Sequence, residues 1–364
     1  MAPPHCFSPW ISLLSVCVAT IANTSLPRPG FTRVCETGTM RLWNSYPRWR
    51  SSGAMRAIKN VASILLLVIG GGIAVAVVGV GVHLWNYAQL RRDVLFDRQT
   101  MLYSSDAFHV VSAISLAPGQ ELLDGVRRYV DGVGAHGAKV VYAGKLAFPA
   151  PRKSRQMPEF DWEAFVIAQY PSRDAWEAAS LREDYASLKG EFARVWSLGM
   201  ERRAGQNVGV AIAMLGLRVR HFLSGAPPTY PFAAVEAPED QRAEWEFRRQ
   251  FLDQVVVENE AFSEDALVII NFQKKGNAEQ RRADSKYGTR MMSMLAEVGY
   301  GPVHMGRPVS LEDDVDFDTV VVVAYPGIRY FIEMVQSRFY TGIFGGKQLN
   351  DDLSSPTVPI LQHL

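Results

Sequence analysis

The sequence is poor in cysteine, and its few cysteines are confined to one end. Cys6, Cys17 and Cys35 all precede residue 40, and the rest of the 364 residues contain none. A disulfide framework, a cysteine-ligated zinc site and a cysteine nucleophile are therefore excluded from the bulk of the chain. The absence is compatible with an oxidising compartment, where free thiols are reactive.

The chain also lacks an excess of charge of either sign. Its formal net charge is +1, and charged residues make up 21% of it. No overall field attracts the phosphates of nucleic acid, so we expect no nucleic-acid partner. With 48% hydrophobic residues and this length, the chain can form about two globular domains.

One long segment lacks formal charge altogether. Val61–Trp85 reads VASILLLVIGGGIAVAVVGVGVHLW, and as a helix it would span ~37 Å, against ~30 Å for the hydrocarbon core of a bilayer. The segment predicts a transmembrane helix, with the lipid bilayer as a partner. Residues 41–60 carry five basic residues and no acid, whereas residues 86–105 carry three basic residues and two acids. This bias favours a cytoplasmic amino end, with the soluble domains on the periplasmic side of a bacterial cytoplasmic membrane.

Residues 1–54 differ in character from the rest of the chain. They combine scattered Cys and Pro with one isolated apolar stretch, Trp10–Ala22. We predict a disordered or mis-assigned extension, with translation starting at Met55 rather than Met1. A weak leader or a second anchor at Trp10–Ala22 is the alternative.

Two segments of the chain repeat each other at a fixed offset. Trp162–Pro171 reads WEAFVIAQYP and Phe317–Pro326 reads FDTVVVVAYP. A second tyrosine follows fifteen residues after each Tyr-Pro tyrosine, at Tyr185 and Tyr340, so both pairs share an offset of 155 residues. Self-similarity over this length predicts a duplicated domain.

The apolar pattern around each repeat predicts the element order β-α-β-β-α-β, which is typical of the ferredoxin-like fold. The first module covers residues 106–203, and the second covers residues 264–364. In the second module a helix is predicted at Ala278–Val298, the third strand at Thr319–Tyr325 and the last strand at Val358–His363. The third strands contain runs such as Phe165–Ala168 that do not alternate apolar and polar residues, so both of their faces are predicted to be buried. We therefore predict an α+β fold. Its two modules pack sheet to sheet as an intramolecular pseudo-dimeric barrel behind one transmembrane helix.

Residues 204–263 are predicted to form a helical linker between the modules. Val208–Leu217 is apolar but too short to cross a bilayer, and basic residues follow it. A core or interdomain helix is the first interpretation, and a helix on a membrane surface is the alternative. Gln241–Val257 has the four-residue apolar spacing of an amphipathic helix.

The first repeat resembles a known bacterial family, the small dimeric α/β-barrel proteins of domain of unknown function 1330. The motif elements that carry the resemblance are Trp162-Glu163, Tyr170-Pro171-Ser172, Trp176 and Tyr185. The second copy keeps Phe317-Asp318, Tyr325-Pro326, Phe331 and Tyr340, with Gly327 in the place of the serine. Members of that family dimerise through their sheets, so the resemblance implies a covalent pseudo-dimer. It implies no common activity.

Four tyrosines are candidates for a binding site. Tyr170 and Tyr325 end buried strands beside a proline, where their hydroxyls could face the mouth of the barrel. Tyr185 and Tyr340 accompany them in the repeat. The alternative is a core aromatic residue whose hydroxyl bonds to the backbone.

The other candidates are Ser172, Arg173, His109 and His304. Ser172 is placed to cap the following helix, and no histidine lies near it in sequence to make it a nucleophile. Arg173 could hold an anion at that helix end or lie solvated on the surface. His109 and His304 could point into the barrel as a general base or an axial ligand, although a structural histidine is the common case. No metal site and no cofactor are predicted.

These observations favour a membrane-anchored barrel protein that binds a small ligand or another protein without catalysis. Its expected partners are the bilayer, a small apolar ligand and a second copy of the chain. The alternative is a cofactor-free or haem-linked oxygenase or isomerase that acts on a small molecule. Fold-level analogy alone supports that alternative.

Overall fold

A computed structural model describes residues 52–97, 106–149, 154–157, 161–202, 204–235, 239, 242–262, 266–311 and 314–364. Most of the predicted extension 1–54 lies outside these ranges. The chain divides into two compact units, residues 1–65 and 66–364. In the first unit the described residues, 52–65, are helical. All that follows on packing concerns the second unit.

Helix α1, Ser52–Leu95, contains the predicted span. Within the part of the chain that the structure describes, one helix is long enough and apolar enough to cross a membrane. It is α1, over Asn60–Leu95. Its large apolar side chains up to Val82 are exposed, whereas Tyr87, Val94 and Leu95 are buried. The helix ends at Phe96, whose φ of 47° reverses the chain. The charged stretch that follows the predicted span is thus helical up to Leu95.

Eight strands close into one antiparallel barrel. They are β1 Phe108–Ser115, β2 Lys139–Leu146, β3 Ala164–Tyr170, β4 Arg194–Arg202, β5 Leu267–Lys275, β6 Gly301–Ser310, β7 Thr319–Tyr325 and β8 Leu349–Pro359. Around the barrel their order is β1-β3-β2-β8-β5-β7-β6-β4. Pairing of β2 with β8 and of β4 with β6 leaves no strand edge open.

Helices cover the outside of the barrel. They are α2 Leu122–Ala135, α3 Arg173–Ser180, α4 Glu183–Gly190, α5 Ala204–Ser224, α6 Arg242–Asn259, α7 Ala278–Val298, α8 Ile328–Val335 and α9 Arg338–Thr341. Helices α5 and α6 occupy the predicted linker. Ala211 and Met214 of α5 are buried in the core beneath α7 and β6, as expected for a core helix.

The prediction of the last strand was wrong. It runs over Leu349–Pro359 rather than Val358–His363, and Leu361–His363 is a short 3-10 helix. The segment LNDDLSSPTVP lacks the apolar pattern of a strand, but backbone pairing with β5 along most of its length holds it in the barrel. Its polar side chains find partners there, since Lys347 Nζ donates to Asp352 Oδ2 at 2.6 Å and Ser354 Oγ to Asn271 Oδ1 at 2.8 Å.

Strand β3 shows why both faces of the third strands are apolar, as predicted. Phe165 and Ile167 point into the barrel, where residues from all parts of the sheet form one core. Val166, Ala168 and Tyr170 point outward into the core beneath the helices. The barrel interior is filled by large side chains with less than 2% exposure; these include Trp196, Phe272, Phe165 and Tyr142.

Gly306 lies on the seam between β4 and β6, and we expect Gly306→Ala to destabilise the barrel. A Cβ atom there would lie 2.3 Å from Met200 Cγ and 2.8 Å from the carbonyl oxygen of Glu201. The methionine side chain can move, but the carbonyl can yield only if the strands separate. We expect a loss of about 1–3 kcal/mol, measured as a lower thermal midpoint of the full-length protein. Gly345→Ala is the control, because nothing lies within 4 Å of its Cβ. Equal midpoints for the two variants would contradict the packing described.

Candidate functional site

Strands β1 and β5 start at one mouth of the barrel, and strands β3, β4 and β7 end there. Phe108 at the start of β1 is paired with Tyr170 at the end of β3 and with Glu201 near the end of β4. In the other half, Leu267 at the start of β5 is paired with Tyr325 at the end of β7. The last turn of α1 lies at this mouth, since Val94 and Leu95 belong to the barrel-interior core.

A buried ionic group joins α1 to the barrel. Arg91 Nη2 donates to Asp97 Oδ2, and the two side chains are each 1% exposed. Arg202 Nη1, at the end of β4, lies 4.0 Å from the same carboxylate oxygen. The left-handed turn at Phe96 brings Asp97 back onto the last turn of α1 and so makes this geometry.

His109 and His304 lie beside this group and contact each other. His109 is on β1 opposite Met200, and His304 is on β6 opposite Val322. Their ring centroids are 4.8 Å apart with an interplanar angle of 62°. The residues are 0% and 2% exposed. The structure therefore brings together the two histidines that the sequence suggested separately.

One nitrogen of the histidine pair has a hydrogen-bond partner among the described residues. His304 Nδ1 lies 3.3 Å from Asn207 Oδ1 in α5, and Asn207 Nδ2 donates to the carbonyl of Met305 at 3.2 Å. Both nitrogens of His109 and Nε2 of His304 are buried without a partner in the described part of the chain. We call Arg91, Asp97, Arg202, His109, His304 and Asn207 the mouth cluster.

Burial sets the charge state of both histidines. It lowers the pKa of His109 to about 4, with Asp97 opposing the shift and the guanidinium groups of Arg91 and Arg202 adding to it. Burial also lowers the pKa of His304 well below its usual value, and His109, Arg91 and Arg202 push it in the same direction. Both imidazoles are therefore neutral at pH 7.

Neutral imidazoles can accept protons or hydrogen bonds, but here the barrel wall and the end of α1 enclose them. A substrate could reach them only if the packing at the mouth opened. A haem ligand role for either histidine does not fit, because an axial ligand must present a ring nitrogen to the iron, and both rings are buried against each other and the barrel core. Among the described residues, no group of three or more His, Cys, Asp or Glu side chains could hold a metal ion.

The predicted tyrosines lie elsewhere. Tyr170 and Tyr325 point into the cores beneath the helices rather than into the barrel mouth, because alternate residues of each strand point inward. Tyr185 lies close enough to Tyr170 to add to the rise in its pKa that burial causes, and Tyr340 does the same for Tyr325. Each repeat thus forms its own tyrosine pair under its own helices.

Ser172 and Arg173 make local contacts and do not join the histidines. Ser172 Oγ accepts from the amide of Ala175 at 3.1 Å, so this residue is the N-cap of α3. Arg173 Nε donates to Glu177 Oε1 at 2.8 Å on the surface. Two concave surfaces, of about 540 and 180 Å³, lie at the start of α7, far from both residues in sequence.

Sequence reasoning missed the charged members of the mouth cluster. Arg91 and Asp97 stand just after an apolar span, where charges commonly mark the membrane boundary. Their opposite charges, six residues apart, were the signal that the sequence offered for a local ion pair. Nothing in the sequence places Arg202 or Asn207 beside them.

No protein-family model matches the chain, and no curated protein matches it. Solved structures are similar over most of their length. A putative monooxygenase from Fusobacterium nucleatum subsp. nucleatum is 7% identical, with 70% of this chain and 93% of that chain covered and a TM-score of 0.35. An anthrone oxidase-like protein is 9% identical (71% and 93% covered, TM-score 0.37). A mutant chlorite dismutase from Candidatus Nitrospira defluvii is also 9% identical (73% and 97% covered, TM-score 0.37). At these values the likeness carries no inference about activity.

Proposed function

We propose that this protein is a membrane-anchored interaction module, in which α1 crosses the bilayer and holds the barrel at its surface. One observation carries the proposal: the last turn of the apolar helix is part of the barrel core. Val94 and Leu95 are buried with the interior side chains, and Arg202 at the end of β4 lies 4.0 Å from Asp97, which pairs with Arg91 of α1. A helix that served only as a membrane tether would not need to pack its end into the core of the barrel. We place the barrel on the periplasmic side of a bacterial membrane, on the charge bias that flanks α1.

We further infer that the barrel is a pseudo-dimer made by duplication, and that both halves belong to the family of domain of unknown function 1330. The halves share the element order and the strand order, β4-β1-β3-β2 in the first and β8-β5-β7-β6 in the second. Tyr170 and Tyr325 also hold the same register, each opposite the first residue of its module's first strand. The repeated Tyr-Pro motif supports the family assignment.

A protein partner fits this molecule better than a small apolar ligand does. Trp196, Phe272 and their neighbours fill the barrel interior, which is where an apolar ligand would be enclosed. Helix α6 instead presents Phe247 and Phe251 on one face, 72% and 48% exposed. Acidic and basic residues flank this pair, as at the rim of many protein interfaces.

Photo-crosslinking in native membranes tests the proposal. We expect a photoreactive phenylalanine at position 247 of the full-length protein to give a discrete protein adduct. The same group at Leu181, which is 87% exposed on the turn between α3 and α4, should give none. Native mass spectrometry of the protein released from membranes should then show the adducted partner or a second copy. Absence of an adduct at position 247, together with an empty monomer, would contradict the proposal.

A cofactor-free enzyme is the second candidate, and the histidine pair favours it. A histidine that acts as a general base must be neutral at the working pH, and three of the four imidazole nitrogens lack a partner in the described part of the chain. An enzyme must expose this pair to its substrate. Rapid modification of His109 and His304 by diethyl pyrocarbonate at pH 7, at the rate of the exposed His363, would favour the enzyme. Protection of both would favour the interaction module.

A further inference from the structure

Helix α5 carries an exposed apolar stripe beside its buried face. Ala211 and Met214 are packed in the core, whereas Ile212, Val219, Phe222 and Leu223 are 48–74% exposed. Positions 212, 219 and 223 lie along one side of a helix with 3.6 residues per turn, and Phe222 lies between that side and the buried face. A stripe of this kind on a soluble surface indicates contact with an apolar partner.

The charges of α5 indicate what kind of partner this is. Ala204–Ser224 contains no Asp or Glu, and its charged residues are Arg218 and Arg220, with His221 next to them. Basic residues at the edge of an apolar stripe are typical of helices that lie in the interface of a membrane. Helix α6 differs in this respect, because it mixes acids and bases along its length.

Contacts with α1 show where the stripe lies. Asn207, near the start of α5, reaches His304 in the mouth cluster. Further along α5, the carbonyl of Ala211 accepts from His83 Nε2 at 3.0 Å, and Arg218 lies within electrostatic reach of His83. His83 precedes Arg91 of the mouth cluster by two turns of α1. Helix α5 therefore leaves the mouth and runs back beside α1, towards its apolar span.

The end of that span is at the same level as the start of the stripe. Val82 and Trp85 flank His83 and are 54% and 61% exposed, and Arg92 lies over the Trp85 ring at 5.9 Å from its centroid. Tryptophan with a neighbouring basic residue is typical of the boundary between lipid and water. Exposed apolar side chains of both helices thus flank the contact between His83 of α1 and Ala211 of α5.

We propose that α5 lies on the surface of the same bilayer that α1 crosses, with Ile212, Val219, Phe222 and Leu223 in the boundary between headgroups and acyl chains. The barrel would then contact the membrane at two places and have a fixed orientation. This inference rests on the proposed membrane anchor. The experiment below separates the failure of one from the failure of the other.

The test uses the full chain with Cys6, Cys17 and Cys35 replaced by serine, in nanodiscs of phosphatidylcholine with phosphatidylglycerol. A single cysteine at position 223, 181 or 78 carries an environment-sensitive nitrobenzoxadiazole label. Position 181 is the control in water, and Val78 is the control within the span of α1. Doxyl-labelled lipids report contact with the bilayer, and iodide reports contact with water.

We expect the label at position 223 to emit at shorter wavelength than the label at position 181 and to be quenched by doxyl lipid. Val219→Asp should abolish that quenching at 223 and leave the label at 78 unchanged. If 223 behaves like 181 while 78 is quenched, the anchor stands and the surface contact of α5 is wrong. If 223 is shielded from both quenchers, a protein covers the stripe, and the inference is again wrong. Loss of lipid contact at both 223 and 78 would overturn the anchor, and the inference with it.

Discussion

Replacing Asp97 with asparagine is expected to lower the free energy of unfolding by about 3–5 kcal/mol, because it leaves two buried guanidinium groups without this carboxylate. Arg91 donates to Asp97, Arg202 lies 4.0 Å from it, and all three side chains are 1% exposed. The amide of asparagine would keep the shape of the side chain but present donors as well as an acceptor to these cations. We expect the thermal midpoint of the full-length protein in nanodiscs to fall by on the order of 10 °C.

Asp316→Asn is the matched control for this prediction. Asp316 lies 2.7 Å from Lys274 Nζ, but its side chain is 81% exposed, so the same chemical change should cost less than ~1 kcal/mol. Arg91→Met in the Asp97→Asn background removes one of the two buried cations and should restore part of the lost stability. Equal effects of Asp97→Asn and Asp316→Asn would show that the mouth cluster does not hold α1 to the barrel.

Elements with strong local signals could be predicted from the sequence to the residue. Helix α7 has the predicted bounds, Ala278–Val298, because both of its ends are marked. Asn277 caps the first turn in a capping box with Gln280, and Gly299 ends the helix with a φ of 82°. The bounds of β7, Thr319–Tyr325, also match, since a valine run ends there at a Tyr-Pro pair.

Strand β8 and the mouth cluster could not be predicted in the same way. The backbone pairing that makes β8 a strand belongs to its neighbours β5 and β2, not to its own polar sequence. In the mouth cluster, His109 and His304 are 195 residues apart in sequence, and only the closure of the barrel brings their rings together. The position of Tyr170 is the converse case. Its place at a strand end was predictable, but the direction of its side chain depended on which alternate residues point inward.

Acidification is expected to destabilise the folded protein, because the fold holds His109 neutral. Burial lowers the pKa of His109 to about 4, against an ordinary value near 6.5. The unfolded chain therefore binds a proton at this residue at a higher pH than the folded chain does. The free energy of unfolding is therefore unaffected by His109 above pH 6.5, and it decreases as the pH falls from 6.5 towards 4. For His109 alone the loss is about 3 kcal/mol.

Other groups titrate in the same window, so the measurement is a difference between variants. The variant His109→Phe keeps an aromatic ring against His304 but cannot be protonated. Between pH 7 and pH 4 we expect its free energy of unfolding to fall by about 3 kcal/mol less than that of the unsubstituted protein. Urea unfolding of the full-length protein in nanodiscs at each pH gives both values. His363→Gln is the matched control, because it replaces a histidine at an exposed position. Parallel curves for His109→Phe and the unsubstituted protein would mean that water reaches His109. In that case the end of α1 would not seal the barrel mouth, and the histidine pair would be open to a substrate.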